Sequence, residues 1–450
     1  MSPTLRIDNL HTLVTMNDDG DELHDVSLYL RGAQIAAIGP RAGMPDADRV
    51  IDGRGKIAIP GLVNTHHHLY QNLTRAVPGA QDALLFDWLK TLYPIWGRMR
   101  SEHIWVSTQI GLGELALSGC TTSSDHLYIY PNDCHLGDSI EAALALGVRF
   151  HPTRGAMSIG ESDGGLPPDA LVENEDDILR DCQDMVARYH DPSALSMTRV
   201  GLAPCSPFSV SRELMRDAAL LARELGVGLH THLAENNEDI DYSLEKFGVR
   251  PGTYAEELGW IGADVWHAHC VKLDGGEIDL FARTGTGVAH CPCSNMRLGS
   301  GIAPVRAMRD AGVKVGLGVD GSASNDAADL FNEARQAMLL QRVNLGADAM
   351  SAREALRIAT RGGAEVLNRP QLGQLQVGFA ADFGLYDIDQ VAGAGDWDPV
   401  AALVLCGPMR PQHLYINGQP IVEDYCLTRV DWDTLKTRHS ALCRELAQGT

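Results

Sequence analysis

Between Ile57 and about residue 370, short apolar runs alternate with segments whose apolar positions recur every three or four residues. The short runs lie at 57–66, 119–126, 147–154, 199–205, 227–233, 264–270, 286–292 and 313–320. Continuous or period-two apolar runs of this length predict buried strands, and the 3.6-residue spacing predicts amphipathic helices. Within 211–226, Leu214, Ala218, Leu221 and Leu225 share one helical face, with Ser211 placed to cap the start and Gly226 to end it. Ser351 and Glu354 have capping-box spacing at a later helix start. Eight strands, each followed by a helix, are what a closed (β/α)8 TIM-type barrel requires.

The two ends of the chain carry a different pattern. Val26–Leu30 and Gln34–Ile38 flank Arg31-Gly32-Ala33 as a hairpin. Strand patterning returns after about residue 370, at 381–386 and at Leu414-Tyr415-Ile416, before the turn dipeptide Asn417-Gly418. The simplest assembly is α/β: a barrel over 58–369 and a small β-sandwich domain built from both chain termini, 1–57 plus 370–450.

Composition narrows the function. The 450 residues hold 59 Asp+Glu against 37 Lys+Arg, a formal charge of −22. So acidic a surface repels phosphate backbones and argues against nucleic acid or an anionic membrane as partner. No stretch is apolar enough to span a bilayer, and MSPTLRIDNL has no signal-peptide pattern, so a cytoplasmic location is expected. Ten scattered cysteines fit reduced thiols better than a disulfide framework. Cys291 and Cys293 are the only close pair; with no second pair they read as strand positions, not a zinc site.

Chemistry is concentrated at the strand ends. His66-His67-His68, His232-Leu233-Ala234-Glu235, His269 and Asp320 each close an apolar run, where barrel enzymes place their active sites. Residues two apart on a strand share a face, which directs His66 and His68 inward together. His232 and His269 are preferred to His230 and His267 because they lie nearer the mouth. Asp320 ends an apolar strand without a cationic neighbour, and a bound cation is its natural partner. Three histidines and an aspartate suit one Zn2+ per chain, with Fe2+ or Mn2+ as alternatives. Glu235, three residues past His232, is placed for proton transfer, and helix capping is the plainer reading of it.

Together with Pro60-Gly61-Leu62-Val63-Asn64-Thr65, Ala268-His269-Cys270 and Gly318-Val319-Asp320-Gly321, these stretches resemble the amidohydrolase superfamily over nearly the whole chain. The run Val200–Cys205 lacks the lysine that bridges two metals in binuclear members, so the resemblance implies the mononuclear deaminase branch. It implies His66, His68, His232 and Asp320 as ligands, Glu235 as proton shuttle and His269 as the group polarising the reacting centre, with Asp320 also accepting a proton.

The finer likeness, in His66–Gln71, Phe86–Leu89, Leu92–Trp96, Ala203–Ser209 and Cys291–Leu298, is to 8-oxoguanine deaminases, which convert 8-oxoguanine and water to uric acid and ammonia. Guanine and isoxanthopterin deaminases and the s-triazine hydrolases share the histidine stretch and stay open as alternatives. Guanine deaminases typically carry arginine where this chain has Cys205. Gln71, Trp96 and Cys205 are the expected substrate contacts, with Trp88 and Tyr93 as further ring walls or core. The expected partner is a small nucleobase-like molecule, with association into a homo-oligomer left open. Pro204-Cys205-Ser206-Pro207 lacks the second cysteine of the base-flipping zinc deaminases, which excludes that class.

Overall fold

The apolar runs become strands that are buried on both faces, as a parallel barrel wrapped by helices requires. The computed structural model describes residues 2–407 and 409–449. Eight parallel strands close into a barrel: Leu62–Asn64, Cys120–Leu127, Arg149–Ala156, Gly201–Pro204, Leu229–Leu233, Val265–His269, Gly287–His290 and Lys314–Leu317, the first to eighth barrel strands below. Leu317 opposite Asn64 completes the ring. The helices start where their caps anticipate. Ser211 Oγ accepts from the Leu214 amide at 2.9 Å, Gly226 ends that helix in the left-handed conformation, and Ser351 with Glu354 forms a capping box.

Both ends of the chain meet in one continuous nine-stranded sheet. Its inner strand, Lys56–Pro60, pairs parallel with Thr4–Val14 and antiparallel with Phe383–Asp387. The expected hairpin joins Glu22–Arg31 to Gln34–Gly39, and Asn417 and Gly418 both take positive φ in the turn between His413–Ile416 and Gln419–Glu423. Leu10, Leu28, Leu30, Phe383 and Leu385 fill the sheet's own core.

Two boundaries differ from the expected ones. The run 57–66 is two strands, not one: Lys56–Pro60 belongs to the small sheet and Leu62–Asn64 to the barrel. The chain crosses between them at Gly61, where a Cβ would lie 2.0 Å from Thr121 Oγ1, so only glycine fits. At the other end, the helix Trp432–Gln448 packs beside the barrel helix Ser101–Leu117, with an Arg438–Glu102 ion pair between them. Residues 432–448 therefore flank the barrel and do not extend the sheet.

Arg149, at the start of the third barrel strand, ties barrel to sheet. Its Nε and Nη2 donate to the two carboxylate oxygens of Asp382 at 2.8 and 3.0 Å, and Nη1 donates to the Leu195 and Ser196 carbonyls. Among the described residues, no helix is long and apolar enough to cross a membrane.

Candidate active site

The first, fifth, sixth and eighth barrel strands deliver their polar residues to one end of the barrel. His66, His68, His232, His269 and Asp320 converge there, all buried or nearly so. Several sit just past the regular strands, in tight turns. His269, Cys270 and Asp320 have φ of 70°, 52° and 61°, and Ala234 has 51°. Left-handed backbone at non-glycine residues is strained and persists only where surrounding contacts fix it.

The hydrogen bonds behind the histidines settle which nitrogen of each carries the proton. His68 Nδ1 lies 2.7 Å from the His126 carbonyl and His232 Nδ1 2.6 Å from the Cys205 carbonyl. A carbonyl only accepts, so both Nδ1 atoms donate. His230 Nδ1 likewise donates to the Trp266 carbonyl at 2.9 Å, which leaves His230 Nε2 to accept from His66 Nδ1 at 2.8 Å. Burial pushes the pKa of His66 and His68 down, and that of His232 to about 3, so all three are neutral near pH 7. Each has spent its single N–H. The three Nε2 atoms therefore present lone pairs, with His68 Nε2 and His232 Nε2 3.1 Å apart. Asp320 Oδ1 adds a carboxylate oxygen 3.2 Å from His66 Nε2 and 3.4 Å from His68 Nε2.

Four acceptors this close repel one another unless a cation lies among them. Three imidazole nitrogens and a carboxylate are a donor set that fits a divalent transition metal. Asp320 is itself oriented: the hydroxyls of Ser294 and Ser324 donate to its Oδ2 at 2.6 and 3.2 Å, and the Gly321 amide donates to Oδ1.

His269 and Glu235 stand beside this set. His269 Nδ1 is 2.8 Å from Asn295 Oδ1, which accepts, and Nε2 is 3.6 Å from Glu235 Oε2 and 3.9 Å from Asp320 Oδ2. Burial opposes protonation of His269, but the two carboxylates outweigh it and raise its pKa. Burial pushes the Glu235 carboxyl up to about 7. The capping alternative fails on geometry: Asn236 caps the helix Asn237–Phe247, and Glu235 Oε1 has no hydrogen-bond partner.

A cavity of about 460 Å³, counting its open mouth, lies against these groups and is lined by Gln71, Trp88, Tyr93, Tyr128, Cys205 and Phe208 among others. Two expected substrate contacts are in its wall. Gln71 is buried with Oε1 unpartnered, and it sits so close to Gly321 that a Cβ there would collide with its amide. Cys205 contributes a neutral thiol, its pKa pushed up to about 12 by burial. Trp96 is not in the wall. It is wholly buried behind it, where Nε1 donates to Thr74 Oγ1 at 3.0 Å and the ring packs edge-on against Tyr70, Trp88 and Tyr93. The Trp88 and Trp96 rings touch edge-on at 5.6 Å, with Trp88 on the cavity side and Trp96 behind it.

Sequence reasoning missed His126. It is the penultimate residue of the second barrel strand, stacks on His232 at 5.0 Å, and forms with His66, His68 and His232 a second group of close potential ligand atoms. Its Nε2 donates to the Ala203 carbonyl, leaving Nδ1 unpartnered. The pair Asp125-His126 at a strand end was the available signal. His267 bonds the Trp260 carbonyl away from the cluster.

A (β/α)8 barrel with histidines at its first, fifth and sixth strands and an aspartate at its eighth defines a class, and comparison gives the same class. The amidohydrolase family model matches residues 57–421, and the chain belongs to that family of enzymes. It is 43% identical to an 8-oxoguanine deaminase of Pseudomonas aeruginosa over 93% of this chain and 94% of that protein. It is 39% identical to an isoxanthopterin deaminase from an unknown prokaryotic organism, over 95% and 93%. Among solved structures, a zinc complex of atrazine chlorohydrolase from Arthrobacter aurescens superposes with a TM-score of 0.94 at 36% identity, covering 98% of this chain and all of that one.

Proposed function

We propose that the chain is a zinc-dependent, mononuclear deaminase that hydrolyses the exocyclic amino group of a purine-like ring, with 8-oxoguanine as substrate and uric acid and ammonia as products. The observation carrying this reading is the buried Glu235 carboxyl, its Oε1 unpartnered, beside three imidazole lone pairs and a carboxylate and lining the cavity at the barrel mouth. Identity to the Pseudomonas aeruginosa 8-oxoguanine deaminase favours this ring over the alternatives.

His66, His68, His232 and Asp320 would hold the metal. When bound, a divalent cation supplies Lewis acidity, bringing the pKa of water from about 16 toward roughly 7. The remaining work falls to this chain's side chains. Asp320 and Glu235 are placed to take the proton of the attacking water. Glu235, with a pKa of about 7, can hand that proton to the ring nitrogen next to the amino-bearing carbon. His269, raised in pKa and pinned by Asn295, stabilises charge developing on the attacking oxygen. Attack at C2 breaks C=N character, a proton reaches the amino group, and ammonia leaves as the C2 carbonyl forms. Gln71 offers its amide to the ring edge, while Trp88 and Tyr93 wall the ring faces.

A second reading, release of chloride or an alkylamine from an s-triazine, is favoured by the fold match to atrazine chlorohydrolase and by 37% identity to a hydroxydechloroatrazine ethylaminohydrolase. Assay of the zinc-loaded enzyme on 8-oxoguanine, guanine, isoxanthopterin and chloro- and ethylamino-triazines decides between them. The expected result is ammonia release, with kcat/KM for 8-oxoguanine far above that for guanine. Guanine equal to or better than 8-oxoguanine removes the substrate assignment, and product chloride or ethylamine without ammonia removes the deaminase reading.

A further inference from the structure

Glu333 lies outside the cavity, in the first turn of the helix Leu330–Leu345 that follows the eighth barrel strand, and is completely buried. Its two oxygens reach two different turns. Oε2 accepts from the Cys293 amide at 3.1 Å and Oε1 from Asn325 Nδ2 at 2.7 Å. The residues after Cys293 are Ser294, whose hydroxyl holds Asp320, and Asn295, whose carbonyl oxygen holds His269. Asn325 also donates to the carbonyl of Val319, the residue before Asp320.

We infer that Glu333 is a positioning residue: one carboxylate clamps the turn after the seventh strand to the turn after the eighth, and so fixes Asp320 and His269 relative to each other. The inference rests on the proposed reading of the site.

Two physical points support it. Both groups that reach Glu333 are donors held by the fold, so an acceptor-only carboxylate satisfies them together, whereas an amide must turn an NH2 toward one of them. Secondly, Asp320 and His269 both have left-handed φ, a conformation that needs external restraint to persist. Glu333 supplies that restraint on the chain immediately before Asp320 and, through Asn295, on the His269 ring. The Cys293 amide gives the motif Cys291-Pro292-Cys293-Ser294-Asn295 a role here.

The test is Glu333→Gln in the metal-loaded enzyme, read in two ways: kcat and KM for ammonia release, and the rate at which a chelator strips the metal. The expected result is one metal per chain at the outset, kcat about tenfold lower, KM within twofold, and metal loss about tenfold faster. Values of kcat and metal-release rate both within twofold of wild type overturn the inference. A fall in kcat matched by an equal loss of folded protein, judged by circular dichroism, also overturns it. If wild-type enzyme releases ammonia from none of the rings, the functional reading fails and the metal-release rate alone decides the role of Glu333. If Glu333→Gln does not fold, Asn325→Ser, which keeps the carboxylate and removes one arm of the clamp, is put through both measurements with the same criteria.

Discussion

Glu235→Gln separates the two consequences of burying a carboxyl beside the His and Asp cluster, because it keeps shape and removes charge. Glu235 is buried, and burial lifts its pKa from 4.5 to about 7. In metal-free protein, ionising it above pH 7 works against the fold, and the gap corresponds to about 3 kcal/mol. The sign follows from the raised value. The neutral carboxyl is favoured by the folded state, so its stabilising contribution is complete below pH 4.5 and is lost as pH rises through about 7. Metal-free Glu235→Gln should therefore match wild type near pH 4.5 and exceed it by up to ~3 kcal/mol at pH 8.5. Urea denaturation of the chelated proteins at the two pH values measures this. In the metal-loaded enzyme the same substitution should lower kcat by roughly two to four orders of magnitude while metal stays bound. Two results refute the reasoning: kcat within tenfold of wild type, or a stability difference that does not grow with pH.

Elemental analysis should find one tightly held transition metal per chain, and chelation should abolish turnover and lower the denaturation midpoint as the three Nε2 lone pairs lose their shared partner; two equivalents, both required, would contradict the mononuclear assignment. Arg149→Met leaves Asp382 buried and uncompensated and should cost about 3–5 kcal/mol in a denaturant series, with KM unchanged in whatever protein remains folded. Gln71→Leu should lower kcat/KM by an amount equivalent to about 1–3 kcal/mol, whereas Trp96→Phe, which removes the bond to Thr74 and shrinks a ring packed behind the cavity wall, should leave KM within twofold.

The architecture and the strand-end positions of the candidate site residues were legible because both are written in short-range pattern. Strand alternation put His66 and His68 on one side, and the run lengths placed His232, His269 and Asp320 at strand ends. What escaped depends on three-dimensional closure. The split of 57–66 into two strands follows from the contact between Gly61 and Thr121, sixty residues apart. The assignment of Trp96 failed because the run Leu92–Trp96 carries no mark of which aromatic faces the cavity and which faces the core. His126, Ser294, Asn295 and Glu333 are ordinary residue types in ordinary segments. Only the approach of distant strand ends gives His126, Ser294 and Asn295 hydrogen bonds to the centre, and Glu333 its bond to the turn that carries two of them.

The nine-stranded sheet has a consequence for how the molecule comes into being. Its strand Lys56–Pro60 lies between Thr4–Val14 and Phe383–Asp387, so one flank is synthesised early and the other more than three hundred residues later. On a ribosome adding about 5–20 residues each second, that interval is tens of seconds. Throughout it, the early strands present an open edge, the kind of surface that recruits other strands. The strand that waits is also the one leading, across Gly61, to His66 and His68. Assembly of the metal-binding end is thereby coupled to a long-range closure, and nascent chains are exposed to misassociation at this edge before the barrel can shield it.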